Sequence, residues 1–599
     1  MILKELADLA RREGLLEDPD YEPKPVRWTI DIGLGGKFLD APETQGPMDA
    51  KGKTRPKVFQ VPRTRPRTSG SAANFMVDKP EYVLGFDPDE NPKKHGKLAG
   101  HRSLFREYVE EGLAFASEDP GMSALLCFLR DDVAVGQAIA KLRGPAVSND
   151  LIAFRYIAGG ENNLIHHRDA VRTAWKAMRN PSERTNKSLP ACLVCGLAAA
   201  PVDVHPQIKR IPGGTTSGIA LVSANSSAFD SLGLSITDGA PVCRPCSEAY
   251  GTALNRLFHP AYTTPKGETL SRRTFRLSDD TAVVYWASGA DEHKFVDEFG
   301  DLDFVDPAKA GSLFEAVLKG EGALLRDATP FHALIISGGQ GRAILRSYFQ
   351  STVGDVATRL REYFDDVEIV RRFENTSRWP ALSWLVRSLA QQGKFENVDA
   401  DLARRVFLAI LDGNPFPPTV LAAAVRRIRA EREDPKRGKQ KHSRERLALV
   451  RATLNRRYRN DDPRIKSLIS KEVSVMLDPE CNNNAYCLGR LLAVLEKLQG
   501  DAIGTSGASI VDRFYGAASA TPAVVFATLL RKAQHHQAKL AGAFYPRLIQ
   551  EILDLLPAEA FPSTLTLEEQ GLFALGYYHE KADLWRSKPK PEVVAATTE

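Results

Sequence analysis

Four cysteines in two short pairs are the residues of this chain best suited to chemistry. Cys192-Leu-Val-Cys195 and Cys243-Arg-Pro-Cys246 each place two residues between thiols. That spacing lets both sulfurs of a pair face one tetrahedral ion. Gly196 follows the first pair directly, which suits the tight turn of a metal knuckle. The reading is a structural Zn²⁺ held by Cys192, Cys195, Cys243 and Cys246 in a reducing compartment, not a disulfide framework. Four thiolates leave no open coordination position, so the ion would not be catalytic. A redox dithiol would need only one pair. The forty-seven residues between the pairs would form an insertion. Two alternatives stay open on spacing alone: four ordinary thiols, or His205 in place of one cysteine. Cys127, Cys481 and Cys487 read as small core hydrophobes.

A second chemistry lies in charge. Between Lys51 and Val77 stand Lys51, Lys53, Arg55, Lys57, Arg63, Arg65 and Arg67, with no acidic residue. Pro56, Pro62 and Pro66 forbid a regular helix, so the stretch reads as a basic, extended loop. It is either a solvated charge run or an arm that enters a DNA groove and touches phosphates on both sides. The loop leads into TSGSAANFMVD, residues 68–78, where small side chains allow close backbone approach. Asn74 there carries both a donor and an acceptor for a base edge. A second basic stretch runs from Arg426 to Arg459, with fourteen Lys/Arg against Glu431, Glu433, Asp434 and Glu445. Its leucines, Leu447, Leu449 and Leu454, alternate with arginines as on a surface helix. It reads either as a phosphate-tracking surface or as a charged bundle exterior.

Signatures of catalysis fail on inspection. His166-His-Arg-Asp169 lacks the adjacent His-Asp of a metal phosphohydrolase, and reads as a surface segment at a helix start. Gly338-Gly-Gln-Gly341 lacks the Lys-Ser/Thr of a phosphate-binding loop. His535-His536 sits in a helical pattern, one ring inward and one outward. No catalytic residue is expected. A metal-dependent nuclease and a protein-only scaffold remain as competing classes.

These residues must be positioned by a large chain. At 599 residues it is too long for one core, so three or four domains are expected. The net charge of +5 is small, so any attraction to nucleic acid must come from local patches. No signal peptide or membrane-length apolar run is visible, which points to the cytoplasm and to no membrane partner. Ile2, Leu3, Leu6, Leu9 and Ala10 share one helix face. Residues 27–32 and 81–86 read as strands, the former followed by a turn at 33–36, and 103–178 as mostly helical, broken near Pro145 and Gly159. Residues 281–287, 331–337 and 342–349 read as strands, with a helix over 352–364, and strands largely vanish after Phe373. Leu488, Leu491, Leu492, Leu495 and Leu498 form a helical stripe ended by Gly500. Thr521-Pro522 and the Thr566–Glu569 capping box start later helices. The fold class is therefore α+β and multidomain: a mixed N-terminal region (1–187), an inserted cysteine-pair zinc module (188–262), a small α+β layer (263–372) and a helical region (373–599).

Several long phrases are distinctive. They are NAYCLGRLLAVLEKLQ (484–499), SATPAVVF (519–526), QGLFALGYYH (570–579), HPQIK (205–209), TSGIALVSANSSAFDS (216–231), AYGTALN (249–255) and NFMVDKPEYVLG (74–85). Together they resemble the large subunit of the type I-C CRISPR surveillance complex, Cascade (Csd-type, the Cas-eight-c family). The resemblance implies a non-catalytic subunit beside the 5′ handle of the guide RNA. Such a subunit recognises a protospacer-adjacent motif on duplex DNA, supports R-loop opening and holds the displaced strand. It works with the backbone, crRNA-processing and small subunits and recruits a helicase–nuclease. Residues 1–187 then become the motif-recognition region. Asn74, Ser69 and Ser71 are its motif readers, and Lys51, Lys53, Arg55, Lys57, Arg63, Arg65 and Arg67 its phosphate contacts. Residues 476–599 resemble a small-subunit-like helical bundle, for which Met476 is a possible internal start.

Overall fold

The computed structural model describes residues 2–16, 18, 20–48, 54–64, 71–179, 189–223, 230, 233–234, 236–264, 267–289, 295–296, 299–303, 327–339, 341–371, 377–431, 443–504, 509–540, 542–557 and 561–585. Strands and helices mix in the first part and helices alone fill the last, the α+β, multidomain class expected. The chain gathers into two compact units. The first comprises 1–206, 222–254 and 261–270, and the second 207–221, 255–260 and 271–599.

Unit 1 opens with α1 (Ile2–Arg12), which buries Leu6, Ala7, Leu9 and Ala10. Next come β1 (Tyr21–Val26), β2 (Trp28–Ile32), β3 (Phe38–Asp40) and β4 (Lys57–Pro62). The helices α2 (Pro80–Val83), α3 (Leu98–Leu113), α4 (Pro120–Arg130) and α5 (Asp132–Leu142) follow. The hairpin β5 (Ile152–Ala158)–β6 (Glu161–Leu164) and α6 (Asp169–Arg179) complete the N-terminal run. A four-stranded sheet has the order β3-β2-β5-β6, with β2 and β5 parallel. Every side chain of β2 is buried. Its Asp31 is held by a two-pronged bond from Arg155 on β5, at 2.8 and 2.7 Å, which satisfies a carboxylate the sheet would otherwise strand. Two expectations are corrected here. Residues 81–86 are not a strand: Lys79 is extended, and Pro80 takes the first helical position of α2, where its missing N–H costs nothing. The helical reading of 103–178 missed β5–β6, whose turn uses Gly159 and Gly160 at φ 60° and 85°.

The chain continues through β7 (Gln207–Ile208), β8 (Ile219–Ala220), α7 (Ile236–Gly239), α8 (Arg244–Phe258) and the hairpin β9 (Ala261–Thr263)–β10 (Thr269–Ser271). In unit 2, β11 (Thr274–Arg276), β12 (Thr281–Ala287), β13 (Pro330–Gly339) and β14 (Arg342–Thr352) join β8 and β7 in a sheet of order β11-β12-β13-β14-β8-β7. The helices α9 (Val353–Val367), α10 (Leu382–Leu389), α11 (Ala400–Asp412), α12 (Pro418–Ala430), α13 (Arg444–Arg459) and α14 (Pro463–Lys466) follow. Last come α15 (Asn484–Ile503), α16 (Ile510–Ala518), α17 (Pro522–Gln537), α18 (Phe544–Asp554) and α19 (Leu567–Leu584). Thr352 caps α9, and Thr566 with Glu569 forms the expected capping box of α19. Helix α15 runs past Gly500 and stops at Gly504, φ 78°, so the predicted stop was one turn early. Gly338 of the glycine-rich turn lies so close to the backbone of Pro212–Gly214 that a Cβ would collide with it, a packing role.

Within the second basic stretch, Arg426 and Arg429 are exposed and residues 432–442 lie outside the described residues, but α13 is not the surface helix expected. Arg444, Arg446, Arg451, Arg456 and Arg457 of α13 are buried. Arg451 donates to the carbonyls of Val473, Ser474, Asp365, Asp366 and Glu368 at 2.8–3.1 Å, gathering the orphan acceptors at the end of α9. Arg456 pairs with Asp366 at 2.5 Å and reaches the carbonyls of Ala409 and Asn414. Five donors in a rigid fork suit arginine to this work.

Candidate metal centre and nucleic-acid surface

The four paired cysteines converge, with all sulfurs within 4.8 Å of one another. Cys195 and Cys243 Sγ are 3.8 Å apart, and a tetrahedron of Zn–S bonds has an edge of about 3.8 Å. The local backbone explains the convergence. Gly196 N–H donates to the Cys192 carbonyl at 2.8 Å, and Cys192 N–H to Leu197 at 2.9 Å. Gly196 closes that turn at φ 75°. Leu193 N–H bonds the Pro241 carbonyl at 2.9 Å, which ties the two pairs together. Cys246 lies in the first turn of α8.

The sulfurs differ in environment. Burial pushes the Cys192 thiol up, but the N–H groups of Cys243, Cys195 and Val194 bring it down to about 7. Burial raises Cys246 to about 11 and raises Cys243 further. A metal ion bound here would displace the protons of these thiols, and four sulfurs within 4.8 Å of one another fit a thiophilic ion such as Zn²⁺. His205 stands apart, its Nδ1 2.7 Å from the Tyr250 hydroxyl, so the four cysteines form the set without it. Cys487 is buried as expected, whereas Cys127 is exposed on α4.

Two features around this centre were not foreseen. Arg11 of α1 donates to Cys246 Sγ at 3.5 Å. Glu248, two residues after Cys246, forms ion pairs with Arg63 at 3.1 Å and with Arg179 of α6 at 3.5 Å. No spacing rule links residues so far apart in sequence, so the chain offered no signal for them.

The basic loop is more ordered than its prolines imply. Lys57–Pro62 is strand β4, paired antiparallel with β1 from Tyr21↔Pro62 to Val26↔Lys57, with Pro56 and Pro62 confined to its ends. Arg55 and Lys57 are exposed, and the Lys57 ammonium sits 5.3 Å from the Phe59 ring. Arg63, expected among the phosphate contacts, turns inward instead. Its side chain is only 13% exposed and bonds Glu248 and the Tyr21 carbonyl. Lys51, Lys53, Arg65, Arg67 and Ser69 lie outside the described residues. Ser71 is exposed, and its hydroxyl lies 2.8 Å from His101 Nε2.

Asn74 also faces inward, at 6% exposure. Its N–H donates to Asp78 at 2.8 Å, and its side-chain amide lies 3.4 Å from the same carboxylate. The next residue explains the burial. Phe75 stacks on Trp175 at 4.9 Å and meets Tyr108 edge-on at 5.5 Å. A Cβ at Gly112 would meet the Phe75 ring at 2.5 Å. Burying Phe75 contributes about 2–3 kcal/mol and draws Asn74 in with it. The segment expected to present Asn74 at a surface is, in this conformation, a structural anchor. His166, read as part of a surface segment, is fully buried in the turn before α6, and burial drives its pKa well below the usual imidazole value.

The chain matches the family model described as CRISPR-associated protein (Cas_Csd1) over residues 3–585. It belongs to the Cas_Csd1 family of CRISPR-associated proteins. A comparison with curated proteins gave no match. Membership in the Cas_Csd1 family implies nucleic-acid and CRISPR-complex partners in general terms. Among the described residues, no helix is long and apolar enough to cross a membrane. The distinctive phrases at 484–499 and 570–579 have a physical reason in this Cas_Csd1 chain. Gly489 of α15 lies against the Phe573 carbonyl, and Gly576 of α19 against the Tyr486 carbonyl. The two backbones meet where any side chain would intrude.

Proposed function

We propose that this chain is the non-catalytic large subunit of a guide-RNA-directed, type I-C Cascade complex in the cytoplasm. The observation that carries the reading is the family match across residues 3–585. In this reading the subunit recognises a short protospacer-adjacent motif on duplex DNA, supports R-loop formation and recruits the helicase–nuclease. It assembles with crRNA and with the backbone, crRNA-processing and small subunits. Exposed Arg55 and Lys57 on and beside β4 support a phosphate-contacting role, joined by Lys51, Lys53, Arg65 and Arg67 of the same basic run. Ser69 and Ser71 belong to the motif-facing segment. Asn74 shapes that segment through Asp78, and it reads a base only if DNA draws it out.

The C-terminal helices support a hold on the displaced strand. Helix α17 carries no acidic residue. Arg531, Lys532 and His535 are exposed along it, Lys539 is exposed just past its end, and Arg513 is exposed on α16. The Lys532 ammonium lies 5.1 Å from the Phe514 ring, a pairing of cation and aromatic suited to an unpaired strand. The four-cysteine centre is proposed to hold one structural Zn²⁺.

The decisive experiment is co-purification with guide RNA and partner subunits, followed by binding to a library of randomised motif DNA. Enrichment of one short motif beside the guide-matched target is the expected result. Binding without motif preference contradicts the reading. DNA cleavage that survives repurification in Mg²⁺ or Mn²⁺ contradicts the non-catalytic assignment.

A further inference from the structure

The four-cysteine centre lies at the start of α8, and α8 also carries the residue that holds the end of β4. Metal bonds to Cys243 and Cys246 would clamp the first turn of this helix. Glu248 lies two residues further along the same stiff backbone. Its two carboxylate oxygens divide between two elements: Oε2 takes Arg63, directly after β4, at 3.1 Å, and Oε1 takes Arg179, at the end of α6, at 3.5 Å. Arg63 also donates to the Tyr21 carbonyl at 3.0 Å, and its own N–H bonds Asp20 at 3.0 Å. One residue later, Thr64 bonds Glu22 through both N–H and hydroxyl, at 2.8 and 2.6 Å. The end of the β1–β4 ribbon is thus pinned by charged groups shielded from water. Glu248 is 15% exposed and Arg63 13%, so water replaces a lost partner poorly. On the other side of the centre, Arg11 reaches Cys246 Sγ and ties α1 to the same point.

We infer that Glu248 is a positioning residue through which the metal-bound cysteine centre holds β4, the strand that presents Lys57, in place. The metal keeps the α8 start rigid. Glu248 transmits that rigidity to Arg63, and Arg63 fixes the end of β4. The inference rests on the reading of Lys57 and its neighbours as a DNA-contacting surface. Its mechanical part, however, needs no DNA to be tested.

The test is amide hydrogen exchange on the full chain, with Zn²⁺ bound and after chelation. Removing zinc should speed exchange across residues 57–64 roughly tenfold or more, while β2 and β5 keep their protection. Glu248→Ala should produce the same acceleration with zinc still bound at about its wild-type affinity. Chelating that variant should add nothing further over 57–64. Glu248→Gln, which keeps the shape and loses the charge, should fall between the two. Four results would overturn the inference: no zinc bound at all, unchanged exchange over 57–64 on chelation, loss of protection in β2 and β5 as well, or an effect of chelation that adds to that of Glu248→Ala. A separate titration of motif DNA against the assembled complex reports on the DNA reading alone. If DNA binding fails while the exchange pattern holds, the surface was misassigned and the linkage stands.

Discussion

The basic run at 51–67 and the helix α13 look alike in sequence, both crowded with Arg and Lys, yet the fold treats them differently. In the first, Arg55 and Lys57 stay in solvent while Arg63 turns in to meet Glu248. In α13, five arginines are buried among Leu447, Leu449, Val450 and Leu454. Composition does not decide which way a guanidinium points; the supply of partners does. Helix α13 passes the ends of α9 and α11, where unpaired carbonyls and the buried Asp366 wait for donors. Among the described residues, no buried acceptor is paired with the side chain of Arg55 or Lys57. An arginine-rich stretch is therefore a surface only where the fold leaves no orphan acceptors beside it.

The sharpest break of this contrast is Arg456→Ala. It takes from the buried Asp366 one of its two arginine partners, leaving Arg459, and from two carbonyls a donor, and should cost about 3–5 kcal/mol, seen as a lowered unfolding midpoint. A variant as stable as wild type would show that α13 is not the internal brace described here. Acid sharpens the same point. His579, packed near Arg451, is held neutral by burial first and by that arginine second, down to about 3. The unfolded imidazole takes its proton near the usual 6.5. The native state is therefore favoured above pH 6.5 and loses up to about 1.4 kcal/mol per pH unit as pH falls from 6.5 toward 3. His579→Asn, which cannot titrate, should flatten that part of a stability–pH profile; an identical slope would locate the acid sensitivity elsewhere.

Smaller effects belong to the first stretch. Arg63→Ala leaves Glu248 and the Tyr21 carbonyl short of a partner and should cost about 1–3 kcal/mol, measured by denaturant unfolding. No change would mean that its inward contacts are idle. Arg55→Ala with Lys57→Ala should shift stability by less than about 0.5 kcal/mol, because both side chains are exposed. A large loss there would erase the distinction between the two segments.

Much of this was legible in the chain, for reasons specific to each part. The cysteine pairs announce themselves because metal geometry constrains spacing within each pair, and the fold only has to bring two knuckles together. The helical stripe of α15 and the capping box of α19 are local signals, and both hold. The strand β4 was hidden because its prolines fall only at the ends, where a ladder tolerates them. The inward turn of Asn74 was hidden because it depends on Phe75 finding Trp175, 100 residues further on, and on Gly112, 37 residues further on, making room. The burial of α13 depends on acceptors contributed by α9 and α11, which no reading of α13 alone contains.

The most direct test of the contrast is the salt dependence of duplex-DNA binding by the assembled, guide-loaded complex. Replacing both Arg55 and Lys57 by Ala should make the slope of log K against log salt shallower by about 1.8, the share of two phosphate contacts, while the unfolding midpoint holds. A slope equal to wild type would contradict the account, because it would leave the exposed cations on and beside β4 without nucleic acid to meet.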